Sequence, residues 1–448
     1  MAEKAKFRGP FIYKILYSYV RLLHRLYYRR FTIVGFEKIP PNTPVIFAPN
    51  HQNALMDALA VDFASRRSVV FMARADIFKK PFIAKVLNML RILPIYRIRD
   101  GYGELSRNQE SFDNTIGVLK SNIPICILPE GNHEGQKRLR PIKKGIFRIA
   151  FQAEESTEFN LNLHIIPVGI DYSNYFNAGS DLMVVFGTPI KIADYAGQYH
   201  ENEQRTINTL KNILEENMRS VMIHIPEEHY MLTYQISEMY EPNVWNTFNA
   251  KRHPYNKLAI RQYLVHKITE ALSQFPGKAI EINEALRTYN TNLGNIGLAD
   301  GLLLQKPPKL ISLLIKTLLS ILLLPFQIYG MVLNYLPFKI PVLLAAKIND
   351  QHFKSSIQFG IGIFLFPIYY LIIILVFSML TDEHLLKVIF GITLPVSGLF
   401  AFYNYKHMEK LWDQIRIFSL RHLKTEKYNA IQNERNQIID LIKATINS

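Results

Sequence analysis

The chain has 448 residues, 49% of them hydrophobic, with a formal charge of +15; that suffices for a sizeable core with apolar sequence to spare and suggests about two or three structural units. Cys126 is the single cysteine, which excludes an internal disulfide and any multi-cysteine zinc site and fits a reducing compartment. The excess of Lys and Arg points to an anionic partner, and charge alone does not choose between nucleic acid and the negative face of a membrane.

Residues 1–30 read as an amphipathic interfacial helix. From Phe11 to Arg30, Ile12, Ile15, Leu16, Tyr19, Leu22, Leu23 and Leu26 recur on one side and Lys14, Arg21, Arg25 and Arg29 on the other, the pattern of a helix lying among lipid headgroups. Charges recur throughout and no small-residue cleavage site follows, which argues against a signal peptide. The bland alternative is a helix packed on the next domain.

Residues 31–225 alternate β-rich runs with amphipathic stretches. The runs are Pro44–Ala48, Val69–Met72, Ile92–Tyr96, Ile125–Leu128, Ile165–Ile170 and Leu182–Phe186, and the helical stretches are Leu55–Ser65, Pro81–Leu90, Tyr102–Leu119, Lys144–Glu155 and Glu203–Val221. Strands separated by helices predict an α/β domain with a largely parallel or mixed sheet, whose ligands gather at the carboxyl ends of its strands. Cys126, between Ile125 and Ile127, reads as core packing rather than as a nucleophile.

Residues 226–308 form a helical linker region with mixed charge and no recognisable chemistry. Beyond it, residues 309–347 are apolar but interrupted by Lys316 and Pro325, and residues 359–404 hold an uncharged span and a second span charged only at Lys387, joined by Thr381-Asp382-Glu383-His384, long enough for a transmembrane hairpin. Residues 405–448 are a basic helical tail. A single crossing by 309–347 would put Lys406, Lys410, Arg416 and Arg421 opposite the basic α/β domain, against the positive-inside rule. The prediction is therefore that 309–347 re-enters or lies along the interface, with domain and tail both cytoplasmic.

Four blocks carry the chemistry. In Pro49-Asn50-His51-Gln52-Asn53-Ala54-Leu55-Met56-Asp57 a strand ends in a polar turn, and Asp57 lies six residues beyond His51. That separation fits neither one helical face nor alternate strand positions, so a turn must fold between them for the carboxylate to reach the imidazole. Such a pair suits a general base: the imidazole takes a proton from an alcohol while the carboxylate fixes its tautomer. Taken alone, the block is better explained by a capping aspartate beside a surface histidine. In Leu128-Pro129-Glu130-Gly131-Asn132-His133, a glycine turn is followed by Lys137, Arg138, Arg140, Lys143 and Lys144, a cationic rim suited to phosphate or else a solvated basic loop. Leu93-Pro94-Ile95-Tyr96-Arg97 brings a candidate phosphate clamp in Arg97. Ile166-Pro167-Val168-Gly169-Ile170 is an apolar strand and turn that suits either the wall of an acyl groove or plain core.

In this order and spacing the four blocks resemble the phospholipid/glycerol acyltransferase family over roughly residues 40 to 200. The resemblance implies a glycerol-3-phosphate acyltransferase-like fold, and acyl transfer from acyl-CoA or acyl carrier protein to glycerol 3-phosphate or lysophosphatidate in phospholipid biosynthesis, with no further cofactor and no metal. It implies His51 as base, oriented by Asp57, with Glu130 and Gly131 shaping the acceptor or oxyanion site, where backbone N–H groups near Gly131 would meet the oxyanion. Asn50, Arg97, His133, Lys143 and Lys144 would bind substrate. Two departures stand out: Asp57 lies one residue further from the histidine than is usual in the family, and Glu130-Gly131-Asn132-His133 replaces the common Glu-Gly-Thr-Arg. Both resemble the fungal glycerol 3-phosphate/dihydroxyacetone phosphate acyltransferase branch, which tilts the acceptor toward glycerol 3-phosphate. A catalytically inactive membrane tether or lipid-binding protein, and an acyltransferase for another lysolipid, stay open as alternatives. Nucleic-acid binding is disfavoured by the apolar spans and the lack of interleaved aromatic and glycine motifs.

Overall fold

The computed structural model describes residues 11–79, 81–95, 105–245, 248 and 253–447. The chain divides into two compact units. The first holds the residues up to His224 together with Ala345–Ile357, and the second holds Ile225–Leu344 and Gln358–Ser448.

The first unit is a mixed sheet flanked by helices. Its strands are β1 (Arg30–Val34), β2 (Val45–Pro49), β3 (Val70–Arg74), β4 (Ile92–Ile95), β5 (Ile125–Cys126), β6 (His164–Tyr172), β7 (Asp181–Phe186) and β8 (Ile190–Lys191). They run in the order β1-β7-β6-β2-β5-β3-β4, with β8 paired to β6. β6 is antiparallel to β7 and β8; the other pairings are parallel. The helices are α1 (Phe11–Tyr27), α2 (Ala54–Ser65), α3 (Pro81–Met89), α4 (Leu105–Lys120), α5 (Gly145–Glu155), α6 (Ala196–Glu201) and α7 (Glu203–Val221).

Every residue of β2 is buried, the mark of a central strand covered on both faces, which therefore reads as a continuous apolar run. Ile46 and Ile125 meet Phe147 and Phe151 of α5 and Leu210 and Leu214 of α7 in one core. Cys126 of β5 is also buried, as expected, and burial pushes its thiol well above the ordinary range. α7 keeps the predicted bounds because Asn202 caps it, its side chain accepting from the Arg205 N–H at 2.9 Å, and an apolar stripe repeats along it. β1 was hidden in the sequence behind the basic end of α1. That helix packs on the domain through Tyr13 and His24, which are buried, and His24 lies edge-on to Phe63 of α2 at 5.0 Å between ring centroids. Ile15 and Leu22 remain exposed.

The second unit is all helical. α8 (Tyr230–Val244), α9 (Pro254–Gln274), α10 (Pro276–Ile296), α11 (Asp300–Leu303) and α16 (Thr425–Asn447) share a core of Ile236, Leu264, Ile282, Tyr289, Ile438 and Ile442. The residues predicted as a linker and the predicted tail are thus one body. Arg435, at 3% exposure, ties them through Asp300 at 2.7 Å and the Met239 carbonyl at 3.1 Å. The same unit contains α12 (Leu310–Leu322), most of α13 (Leu324–Ala346) and of α14 (Lys354–Ser378), and α15 (His384–Leu423). Three helical runs, Leu324–Ala346, Gln351–Ser378 and His384–Leu423, are long and apolar enough to cross a membrane. Gly330 of α13 meets α15 so closely that an added Cβ would lie 2.3 Å from the Ser397 carbonyl oxygen, the small-residue contact that lets membrane helices approach.

Candidate active site

Because β2 and β5 are parallel neighbours, with Phe47 opposite Cys126, the loops leaving them emerge together at one end of the sheet. His51 and Glu130 sit on those two loops. The peptide N–H of His51 donates to Glu130 Oε1 at 2.9 Å, and the Glu134 N–H returns to the His51 carbonyl at 3.1 Å.

Asp57 lies in the first turn of α2 and is fully buried. The turn before the helix is tight, and Ala54 takes φ +40° to make it, a costly conformation for a residue with a Cβ. The fold brings Asp57 Oδ2 to 2.9 Å from His51 Nδ1 and to 2.7 Å from the N–H groups of both Gln52 and Asn53. Tyr172 donates its hydroxyl to the other carboxylate oxygen at 2.8 Å. Burial and the adjacent Asp57 push that phenol well above its usual range, so it stays a donor. With Nδ1 donating to Asp57, Nε2 of His51 keeps its lone pair, and the ring retains 12% of its side-chain exposure.

Glu130 is 3% exposed. Its second oxygen accepts from the Arg140 N–H at 3.3 Å, so it joins the two loops. Burial raises its carboxyl to about 8 against the opposing pull of the His51 and Arg140 N–H groups. Gly131 adopts φ +75°, but its N–H donates to the Leu128 carbonyl at 3.1 Å and is not free for an oxyanion. Among the described residues, the backbone N–H groups of Asn132 and His133 donate to no protein acceptor; these are the open donors of the turn.

The predicted substrate-binding residues divide. Asn50 is a correction: it is fully buried, and both ends of its amide are taken by the backbone of Ile170, at 3.1 and 2.7 Å. It pins the β2 exit to β6 and has no exposed polar atom to offer a substrate. β6 is itself buried from Ile165 to Ile170, so the fourth block is core. Of the cationic rim, Lys137 turns inward to Asp171 and the Tyr172 carbonyl, while Arg138 and Arg140 flank Glu134 at 3.3 and 3.7 Å. Lys143 and Lys144 keep solvent access and have no acidic partner among the described residues. His133 comes next to His51, the two rings edge to face at 5.3 Å between centroids. Arg97 lies outside the described residues.

Several participants had no local signal. Gln52 and Asn53 are buried and tied to Tyr175, Gln52 Oε1 accepting from its hydroxyl at 3.2 Å and Asn53 Nδ2 donating to its carbonyl at 3.0 Å. More distant still is the interval between 347 and 359, which no predicted domain claims. Ser355 donates to Asn53 Oδ1 at 2.5 Å, and the Leu55 N–H, one of the open donors at the start of α2, donates to Ser356 Oγ at 3.1 Å. Asp350 reaches His133.

Part of the chain is similar to known acyltransferases. Residues 30–171 match the family model described as Acyltransferase. A chloroplastic 1-acyl-sn-glycerol-3-phosphate acyltransferase of Brassica napus is 30% identical over 120 residues, 26% of this chain and 33% of that protein. Glycerol-3-phosphate O-acyltransferase 1 of Saccharomyces cerevisiae is 24% identical over 181 residues, 38% of this chain and 23% of that protein. The matches thus span less than two thirds of either relative. The crystal structure of a 1-acyl-sn-glycerophosphate acyltransferase, PlsC, from Thermotoga maritima has a TM-score of 0.35 and 18% identity, covering 49% of this chain and 81% of that one. His51, Asp57 and Glu130 all fall within the segment that matches the Acyltransferase family model, and over that segment the chain is similar to acyltransferases of glycerol 3-phosphate and of 1-acylglycerol 3-phosphate.

Proposed function

We propose that this protein transfers a fatty acyl group from a thioester donor, acyl-CoA or acyl carrier protein, to a hydroxyl of glycerol 3-phosphate or lysophosphatidate. The observation that carries the reading is the 2.9 Å hydrogen bond between His51 Nδ1 and the buried Asp57 carboxylate at the exit of a central strand. His51 Nε2 takes the proton of the acceptor hydroxyl as its oxygen attacks the thioester carbonyl. A C–O bond forms, the C–S bond breaks, and the imidazolium returns its proton to the departing thiolate. Asp57 stabilises the imidazolium in between, and the open N–H groups of Asn132 and His133 are candidates to meet the oxyanion. Lys143 and Lys144 suit the acceptor phosphate, and no acyl-enzyme is required.

Membrane residence is part of the proposal. It is supported by the three long apolar helical runs and by Leu318, Leu371 and Ile392, which stand exposed, where lipid would accept them and water would not. The catalytic domain is placed on the cytoplasmic face, in keeping with the basic residues of the domain and of the tail.

The test is transfer by the purified protein in detergent, with each donor against each acceptor, beside His51→Ala. The variant should lose roughly 10²- to 10⁴-fold or more in turnover while keeping its thermal transition and its association with vesicles. Near-native turnover by His51→Ala would falsify the mechanism.

A further inference from the structure

Beside the first imidazole and carboxylate lies a second pair. His133 Nε2 is 3.0 Å from Asp350 Oδ2, with the carboxylate supplied from a point 217 residues further along the chain. Asp350 is itself set in place, since its Oδ1 accepts the N–H of His352 at 2.9 Å. Phe353 packs edge to face on the His133 ring at 4.5 Å. His133 keeps only 14% of its side-chain exposure, and burial holds its imidazole below the usual range despite Asp350, with His51 and His352 adding in the same direction. A neutral ring that donates through Nε2 to a carboxylate has Nδ1 left as an acceptor.

The two pairs are complementary. Asp57 takes Nδ1 of His51 and leaves Nε2; Asp350 takes Nε2 of His133 and leaves Nδ1. Rings 5.3 Å apart, edge to face, thus present two lone-pair acceptors in one neighbourhood. A single acceptor serves a single hydroxyl. Two acceptors side by side fit two hydroxyls on adjacent carbons, one to be activated and one to be held.

We propose that His133, positioned by Asp350, accepts a hydrogen bond from the second hydroxyl of the acyl acceptor, so that the site selects a polyol phosphate with two adjacent free hydroxyls. Glycerol 3-phosphate has that pair, and lysophosphatidate, whose neighbouring hydroxyl is esterified, does not. Asp350 is a positioning residue that acts through the His133 ring. The inference rests on the proposed acyl transfer at His51 and sharpens it to one class of acceptor. A site built to hold a hydroxyl discriminates strongly against an analogue that lacks it, because its own polar group is then left unpaired.

The experiment compares glycerol 3-phosphate with 3-hydroxypropyl phosphate, which has the same phosphate and one terminal hydroxyl but no neighbour. Both kcat/KM and equilibrium binding are measured, on the full chain in detergent. The wild type should prefer glycerol 3-phosphate by roughly tenfold to a hundredfold. Asp350→Ala should collapse that ratio toward one, chiefly by weakening the use of glycerol 3-phosphate. Asp350→Asn, whose amide oxygen still accepts from Nε2–H, should keep most of it. A loosened fold would lower both substrates together, so unequal loss separates positioning from general damage. A wild-type ratio near one, or an Asp350→Ala ratio equal to the wild type, overturns the inference while leaving acyl transfer intact. If no acceptor is acylated at all, the transferase reading fails, and the binding ratio still decides the role of the pair.

Discussion

In the first unit, the polar side chains around the strand exit are drawn inward and paired: Asp57, Gln52 and Asn53 are all but inaccessible, and each is held by named partners. In the second, Leu, Ile and Phe side chains stand outside along α12 to α15, while the amides face in. Asn334 is the hub there, accepting from the Tyr370 hydroxyl at 2.6 Å and donating to the Gly330 and Leu394 carbonyls at 2.9 and 3.3 Å. Asn404 donates to Gln327 at 3.0 Å. Both units obey one rule, that a polar group removed from water must find a partner. The difference is the surrounding medium. A surface of exposed aliphatics with inward amides is stable against hydrocarbon, whereas the first unit meets water with charge and hides the carboxyl groups of Asp57 and Glu130.

The comparison can be broken most severely at Asp57. Asp57→Asn has no charge with which to stabilise an imidazolium and favours the wrong histidine tautomer, so turnover should fall by about 10²- to 10⁴-fold at little cost in acceptor KM. A fall of less than about tenfold would show that the pair is structural. Asn334→Leu tests the other unit. Loss of the hub should destabilise it by about 1–2 kcal/mol in detergent or lipid, read as an earlier unfolding transition, with acyl transfer in the first unit unchanged. No shift would mean that the inward amides are incidental.

Glu130 provides the smallest effect and a pH signature. Its carboxyl is raised by burial from 4.5 to about 8, so the folded state prefers the protonated form. The associated stability is complete below the unfolded value and is lost as pH rises through about 8. The melting temperature of the wild type should therefore decline across that window. Glu130→Gln, which cannot ionise, should flatten the slope even if its absolute stability is lower, because its amide nitrogen opposes the Arg140 N–H. An unchanged slope would place the titration elsewhere.

What could be read in the sequence follows from the range of the forces involved. The core of the sheet was legible: β2, β3 and β7 lie within a residue or two of the predicted runs because buried strands are written as local β-branched blocks. The dyad was legible because its members are near in sequence and the turn between them was required by their spacing. Lys137 was misplaced in the rim because a lysine in a basic loop reads as solvated, and nothing near it announces that Asp171 waits at the end of β6. Asn50 looked like a substrate ligand for the same reason, its partner Ile170 being supplied by another strand. Asp350 had no signal at all, since its meaning depends on a chain reversal more than two hundred residues long.

Asp57 accepts four hydrogen bonds in the resting protein, three on one oxygen and one on the other. A carboxylate so held has no torsional freedom with which to follow the chemistry. In the proposed transfer, positive charge on the neighbouring ring would meet dipoles that already point the right way, whereas bulk water would have to turn to meet it. The reorganisation that slows the same proton transfer in solution was completed when the chain folded.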